Sequence, residues 1–315
     1  MDKFKESAVI KDAGSGNLAH SLMLVSADVF ALERFAKVLA QTLMCEADEK
    51  PCGVCVECRK IEHNNNVDVI EFPRNNKVIN SAEIAELMEL AYVSPYASDK
   101  KIFILKDASS IDIGMQNKLL KTLEEPPFNT YFLLLVTDDS KILPTIKSRC
   151  RSVFLSNIDA SVILEELSKL GIEGNKAQEI VNYCSGNCSL ALKYAQNDDF
   201  FKMVDLANDL IKNYRKSSQM LTYATKLYAI GDKFDEFLTI FLKNCSDAVK
   251  ILCGEVVESG TAQILSKEFS VNALVEIVKG CNLIVEKKTR YCNNNAIVDS
   301  FLLMILEVRH KWPVM

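Results

Sequence analysis

Short apolar runs alternate with amphipathic segments over the first half of the chain. The apolar runs indicate buried strands, and apolar positions at every third or fourth residue indicate helices that face a core. The predicted strands are 21–26, 67–72, 101–105, 131–137 and 153–155, and the predicted helices are 30–44, 81–92 (with Ser81 as N-cap) and 114–124. This alternation predicts a mostly parallel sheet with right-handed crossovers, in which ligands bind at the carboxyl ends of the strands.

The second half of the chain is patterned as helix after helix. No proline occurs between Pro144 and Pro313, and this stretch is rich in Leu, Ile, Ala, Lys and Glu. Proline is strongly unfavourable inside a helix, so such a stretch favours a helical structure. We therefore predict three domains: an α/β domain over 1–156, a small helical domain over 157–199 and an all-helical domain over 200–315.

Composition and charge narrow the class of protein. The chain has 315 residues, of which 49% are hydrophobic and 25% charged, and a net charge of −5. An acidic protein is a poor candidate for holding DNA mainly through its own surface. No stretch reaches the roughly 20 apolar residues that span a bilayer, and the N-terminus lacks an apolar signal core. We therefore expect a cytoplasmic protein with no membrane partner.

Four of the eleven cysteines form a C-x6-C-x2-C-x2-C cluster: Cys45, Cys52, Cys55 and Cys58. In a reducing compartment, clustered cysteines bind metal more often than they form disulfides. Four thiolates complete a tetrahedral Zn²⁺ site without an open position, so the predicted zinc is structural. His63 is a candidate substitute ligand, although a surface position is the favoured interpretation.

The segment between the first strand and the first helix, where a nucleotide-binding loop would lie, contains no glycine. A phosphate-binding loop needs glycines, a lysine and a Ser or Thr that binds magnesium. In the segment from Ser26 to Glu33, Leu32 stands at the lysine position and Glu33 at the hydroxyl position. Asp28 and Glu33 would also repel a triphosphate. After the strand 101–105, Asp107 is a single acidic residue where a pair is usual. We predict that the chain binds no ATP.

A more specific pattern begins at residue 114. Residues 114–127 read GMQNKLLKTLEEPP and are followed by the strand 131–137, Leu143-Pro144 and the segment 147–150, which reads KSRC. This order resembles the gamma/tau and delta-prime group of bacterial DNA polymerase III clamp-loader subunits, a branch of the AAA+ family. The cysteine module and the Asn294-Asn295-Ala296 helix start also match. The resemblance implies an α/β AAA+ base domain with a parallel sheet, a small helical lid and a C-terminal all-α collar.

The resemblance also assigns roles to individual residues. Arg149 corresponds to an arginine finger, which reaches across a subunit interface to ATP bound by the neighbouring subunit. Arg151 is the alternative for this role. Ser189 stands where hydrolysing members carry a second ATP-sensing arginine. Lys118 and Lys121 correspond to a helix that lines the DNA spiral, and both DNA contact and a solvated face stay open for them.

Together these features predict a non-hydrolysing, delta-prime-type subunit of the clamp loader. Its implied partners are the gamma/tau ATPase and delta subunits and, indirectly, the sliding clamp and primer–template DNA. We expect no intrinsic ATPase, although the assembled holoenzyme is a DNA-directed DNA polymerase. Two alternatives stay open: an active gamma/tau-like ATPase, and a zinc-containing nucleic-acid-binding protein.

Overall fold

The computed structural model describes residues 7–74, 78–257, 259–288 and 293–312. The chain divides into two compact units, the first ending at Lys193 and the second beginning at Tyr194. The proposed base domain and most of the proposed lid, up to Lys193, thus fall in one compact unit, and the division into three domains stays a prediction. No helix in the described ranges is both long and apolar enough to cross a bilayer.

The first unit contains a five-stranded parallel sheet. Its strands are β1 Ser21–Val25, β2 Val69–Phe72, β3 Lys101–Leu105, β4 Thr130–Val136 and β5 Arg151–Phe154. Their order across the sheet is β2-β3-β4-β1-β5, and every neighbouring pair is parallel. The α/β architecture with a parallel sheet that the sequence predicts is confirmed. All five predicted strands exist, with bounds shifted by at most two residues.

The helices of this unit connect the strands and continue beyond them. They are α1 Ala8–Gly14, α2 Val29–Met44, α3 Val56–Glu62, α4 Ser81–Ala91, α5 Ile113–Glu124, α6 Pro144–Lys147, α7 Ala160–Lys169, α8 Gly174–Cys184 and α9 Cys188–Ala195. The short helices α1 and α3 were not predicted. The N-cap of α4 is Asn80 rather than Ser81, because Asn80 and Glu83 form a reciprocal capping box.

Helices cover both faces of the sheet, so the inner strands β1, β3 and β4 are buried on both sides, whereas the edge strand β5 is largely exposed. Successive side chains of a strand point to opposite faces. Leu22 and Leu24 accordingly pack with Phe35 of α2 on one face. On the other face, Phe103 stacks on Phe132 at 5.3 Å between ring centroids. Burying a side chain of this size contributes about 1.5–3 kcal/mol, so the two cores hold the sheet edges in fixed positions.

A buried carboxylate orders the loop that precedes β3. Asp68 is 1% exposed and accepts hydrogen bonds from the backbone N–H groups of residues 96, 97 and 98 at 2.6–3.0 Å. Burial alone would raise the pKa of Asp68, but these hydrogen bonds outweigh it and lower that pKa. The ammonium of Lys101 donates to the carbonyls of Leu90 and Val93 in the same region. The Asp68 carboxylate and the Lys101 ammonium therefore both fix this region through hydrogen bonds to its backbone.

The second unit is all-helical, as predicted. Its helices are α10 Phe200–Asn213, α11 Met220–Tyr228, α12 Phe234–Leu252, α13 Gly260–Glu268, α14 Val271–Lys288 and α15 Asn294–Lys311. Phe301 of α15 meets Phe234, Phe237 and Phe241 of α12 edge-on at 5.8, 6.1 and 5.1 Å. These are the periodic apolar positions of the sequence, and they form the core of this unit.

Replacement of Asp68 by Asn is expected to lower the free energy of unfolding by about 1–3 kcal/mol near neutral pH. The pKa of Asp68 is depressed in the folded protein, so its contribution is present above the unfolded-state pKa of about 4 and is lost as the pH falls through the folded value. Urea denaturation between pH 3 and 7 should therefore show a shallower acid loss for Asp68→Asn. The exposed neighbour Asp99→Asn is the control. Parallel pH profiles for wild type and Asp68→Asn would contradict this assignment.

Candidate functional site

The four predicted cysteine ligands come together at the end of α2. Cys45 caps the C-terminus of α2, Cys55 caps the N-terminus of α3, and Cys58 lies in the first turn of α3. Their Sγ atoms and that of Cys52 lie within 4.8 Å of one another. A tetrahedral zinc with Zn–S bonds of about 2.3 Å needs sulfur atoms about 3.8 Å apart. The geometry fits such a metal, and Sγ of Cys45 and Cys55 are 4.0 Å apart.

Backbone N–H groups point at the sulfur atoms of this module. The N–H of Cys55 donates to Cys52 Sγ at 3.3 Å, and that of Cys58 donates to Cys55 Sγ at 3.4 Å. Hydrogen bonds from the backbone of Val54 and then Cys55 lower the pKa of Cys52 to about 6, whereas burial raises the pKa of Cys58. N–H donors stabilise thiolates, the form that binds metal. His63 is exposed and is not part of the four-sulfur cluster.

The start of α2 carries its own anion. Asp28 is 4% exposed, and its Oδ1 accepts a hydrogen bond from the N–H of Phe30 at 3.1 Å. The N–H of Asp28 in turn donates to Ser26 Oγ at 3.1 Å. A helix N-terminus attracts negative charge through its free N–H groups and its dipole. In this protein a side-chain carboxylate of the same chain supplies that negative charge.

The same carboxylate is shared with the start of α9. The N–H groups of Cys188 and Ser189 donate to Asp28 at 2.7 and 3.0 Å, and the hydroxyl of Ser189 donates to it at 2.7 Å. Ser189 Oγ also accepts the N–H of Phe30 at 2.8 Å. Gly186 precedes α9 at a φ of +80°, where a Cβ would lie 2.7 Å from Asn157. The two helix starts thus saturate one carboxylate.

The rest of this edge is also unlike a triphosphate site. Leu32 is 1% exposed and belongs to the core, so nothing at its position reaches into the edge. Lys106 forms ion pairs with Glu33 at 3.5 Å and Glu71 at 2.8 Å. Burial lowers the pKa of Lys106, but its bond to Glu71 and the two carboxylate charges outweigh this and raise it. The cavity beside these groups, about 590 Å³, is lined by both carboxylates and cations.

The carboxyl ends of the parallel strands form one edge of the sheet and the amino ends form the other. Arg149 lies at the amino edge, opposite the edge that carries Asp28. It precedes β5 by two residues, so it lies before the amino ends of the parallel strands, whereas Asp28 follows the carboxyl end of β1. Its Nε donates to Glu124 Oε2 at 2.9 Å, and its Nη1 donates to the carbonyl of Thr145 at 3.1 Å. The structure therefore does not bring Arg149 together with the predicted positions Ser26 and Glu33.

A buried glutamine that the sequence reasoning missed supports the segment leading to Arg149. Gln116 of α5 is 1% exposed. Its Nε2 donates to the carbonyls of Ile111 and Lys141 at 2.8 and 3.0 Å, and its Oε1 accepts the N–H of Leu143 at 2.9 Å. These bonds fix the turn before α6. The amphipathic pattern of α5 places Gln116 on the buried face, and a polar residue on a buried face indicates a structural hydrogen bond.

The other basic candidates lie on the surface. Arg151 pairs with Asp12 at 2.7 Å, and Lys147 pairs with Asp139 at 3.1 Å. The other two candidates, Lys118 and Lys121, are exposed on α5. DNA contact by these side chains stays a prediction. Solvent-exposed ion pairs contribute little to stability, so the partners of Arg151 and Lys147 do not by themselves indicate a function.

Replacement of Asp28 by Ala is expected to lower the free energy of unfolding by about 2–4 kcal/mol, because buried N–H groups of two helices lose their acceptor. The matched control is Asp112→Ala, since Asp112 caps α5 through one exposed hydrogen bond to Met115. The loss of this cap should cost only about 1 kcal/mol. Urea denaturation of the two variants measures the difference. Equal losses would contradict the shared-carboxylate arrangement.

Comparison with known proteins gives matches along most of this chain. A family model described as "DNA polymerase III, delta subunit" matches residues 3–159. The delta' subunit of Haemophilus influenzae DNA polymerase III is 30% identical over 207 residues, which are 64% of this chain and 63% of that protein. The gamma subunit from Buchnera aphidicola is 29% identical over 261 residues, covering 80% of this chain and 68% of the relative.

A solved structure can also be aligned with this chain. The gamma-subunit-related protein of Thermotoga maritima aligns with a TM-score of 0.46 at 17% identity, over 95% of this chain and 99% of that one. The chain spans less than two thirds of the length of the Haemophilus relative, and half that of the delta' subunit of Bacillus subtilis, at 29% identity. Taken together, the sequence matches show that this chain belongs to the family of DNA polymerase III clamp-loader subunits that includes delta' and gamma/tau.

Proposed function

We propose that this chain is a non-hydrolysing, delta-prime-type clamp-loader subunit that supplies Arg149 to ATP bound by a neighbouring subunit. The observation that carries the proposal is the opposite placement of two features. The start of α2, where a nucleotide would bind, is filled by the Asp28 carboxylate, and Arg149 lies at the other edge of the sheet.

Distance alone makes Arg149 unavailable to its own chain's nucleotide edge. Strand β1 has five residues, which at about 3.3 Å each span about 16 Å, longer than a side chain. A nucleotide that Arg149 contacts must therefore be bound by another chain. A guanidinium placed against the γ-phosphate stabilises the charge of the transition state and accelerates hydrolysis by about 10³–10⁵-fold in well-studied NTPases.

The partners in this proposal follow from the family. A gamma/tau-type ATPase subunit binds the nucleotide that Arg149 contacts, and a delta subunit completes the hetero-oligomer. The assembled loader then acts on the sliding clamp and on primer–template DNA. The all-helical region over 200–315 would be the collar that joins the subunits.

Zinc is the metal that we propose for the four-cysteine module. Four thiolates favour zinc. They fill all four positions of a tetrahedral site, so no position is left for a substrate. The role of the metal would be to tie the end of α2 to α3. No step of ATP hydrolysis depends on it.

Elemental analysis of the purified chain by plasma mass spectrometry should find about one zinc per chain. Replacing Cys52 by Ser should reduce this ratio severalfold and lower the thermal midpoint, because three ligands hold the ion less tightly. Cys253→Ser is the matched control, since Cys253 is exposed and lies outside the module. Metal-free protein of unchanged stability would contradict the zinc assignment.

Arg149→Ala should lower the clamp- and DNA-stimulated ATPase rate of a reconstituted loader by at least about tenfold, because the transition state loses its guanidinium. The loader is assembled from the full chain and the clamp-loader partner subunits of the same organism. Arg151→Ala is the control, since Arg151 is a similarly exposed arginine two residues away that pairs with Asp12.

Two outcomes would favour the alternatives. Calorimetric binding of ATP to the isolated chain would contradict a closed nucleotide edge and favour an active gamma/tau-like subunit. Failure to assemble with clamp-loader subunits, together with salt-sensitive DNA binding by the isolated chain, would favour a zinc-containing nucleic-acid-binding protein.

A further inference from the structure

We infer that Glu124 is a positioning residue for Arg149: its carboxylate holds the guanidinium in the orientation that a neighbouring nucleotide requires. This inference rests on the proposed function and adds to it a second residue on the same chain. Glu124 is the last residue of α5, and its Oε2 accepts the Nε–H of Arg149 at 2.9 Å.

The geometry leaves the Nη2 group of the Arg149 guanidinium available. An arginine has five N–H donors in a planar fork. In Arg149 the Nε–H goes to Glu124 and one Nη1–H goes to the carbonyl of Thr145. The Arg149 side chain is 31% exposed. The Nη2 group carries two further donors, which suit a phosphate oxygen.

Helix α5 supports both anchors of Arg149, Glu124 and Thr145. Thr145 lies in α6, and the turn before α6 is fixed by the three hydrogen bonds of Gln116 in α5. Glu124 ends the same helix α5. The positions of both hydrogen-bond partners of Arg149 are therefore set by α5, which packs in the core through Leu119 and Leu123. An arginine loses considerable rotamer freedom when it binds, and this loss is reduced where the side chain is already held.

The position of Glu124 is not explained by the stability of α5. A carboxylate at a helix C-terminus is disfavoured by the helix dipole, and cations are favoured there. The adjacent Glu125 lies at the same helix end, is exposed, and has no side-chain hydrogen bond or ion pair among the described residues. Contact with Arg149 is thus the feature that separates Glu124 from its neighbour, and Glu125 is a matched control.

The test uses the reconstituted loader, with assembly checked by size-exclusion chromatography and kcat and KM for ATP measured separately. We expect Glu124→Ala to lower kcat about threefold to fivefold with assembly and KM unchanged, a loss in the range of exposed ion pairs. Glu124→Gln should retain most of the rate, because the amide oxygen still accepts the Nε–H. Glu125→Ala should leave kcat at the wild-type value.

The double variant decides whether the effect passes through Arg149. In an Arg149→Ala background, Glu124→Ala should cause no further loss. A further loss there would show a structural role and overturn the inference. A rise in kcat for Glu124→Ala would show that Glu124 restrains Arg149 instead, which also overturns it. A full effect of Arg149→Ala with none of Glu124→Ala would refute the positioning role and leave the proposed function intact, whereas no effect of Arg149→Ala would refute the proposed function itself.

Discussion

The carboxylate of Asp28 joins the starts of two helices that are 160 residues apart in the chain. The N-terminus of α2 needs an anion or a cap, and the N-terminus of α9 needs one as well. One buried side chain satisfies both, so the helix that begins the sheet's ligand edge and the helix of the predicted lid are fixed to each other. The arrangement uses the same physical preference for negative charge that a phosphate-binding loop uses, without a phosphate.

The parallel sheet then separates what the two edges can do. Every strand runs in the same direction, so all carboxyl ends lie with Asp28 and all amino ends lie with Arg149. The carboxyl edge carries Lys106 between Glu33 and Glu71, so one cation meets two carboxylates and the group stays negative overall. The amino edge presents a guanidinium held by Glu124. Under the proposed function, this separation is why the chain contributes to a neighbour's reaction and not to one of its own.

Helix α5 links the core to the amino edge. Its apolar face packs beneath the sheet, its Gln116 fixes the turn that precedes α6, and its last residue holds Arg149. The two prolines that follow Glu125 stop the helix there, because the residue before a proline is disfavoured in the helical region. A residue inserted or deleted between Leu119 and Glu124 would turn Glu124 around the helix axis by about 100°, away from Arg149.

The sequence alone was sufficient for the order of strands and helices along the chain and for the four-cysteine module. Both depend on local spacing, namely the apolar period and the three-residue cysteine repeat. It mistook the N-cap of α4 and missed α1 and α3, since short helices carry little periodic signal.

Only the tertiary structure decided the roles of Asp28, Gln116 and Glu124. From the sequence, Asp28 was interpreted as a repulsive charge, and in the fold it is the shared cap of α2 and α9. Glu124 belonged to a recognisable motif, but its partner lies 25 residues away. Local patterns report which face of an element is buried. They cannot report which polar groups form hydrogen bonds across the fold. Those contacts join residues that are distant in sequence, and their positions are fixed only when the helices and strands pack together.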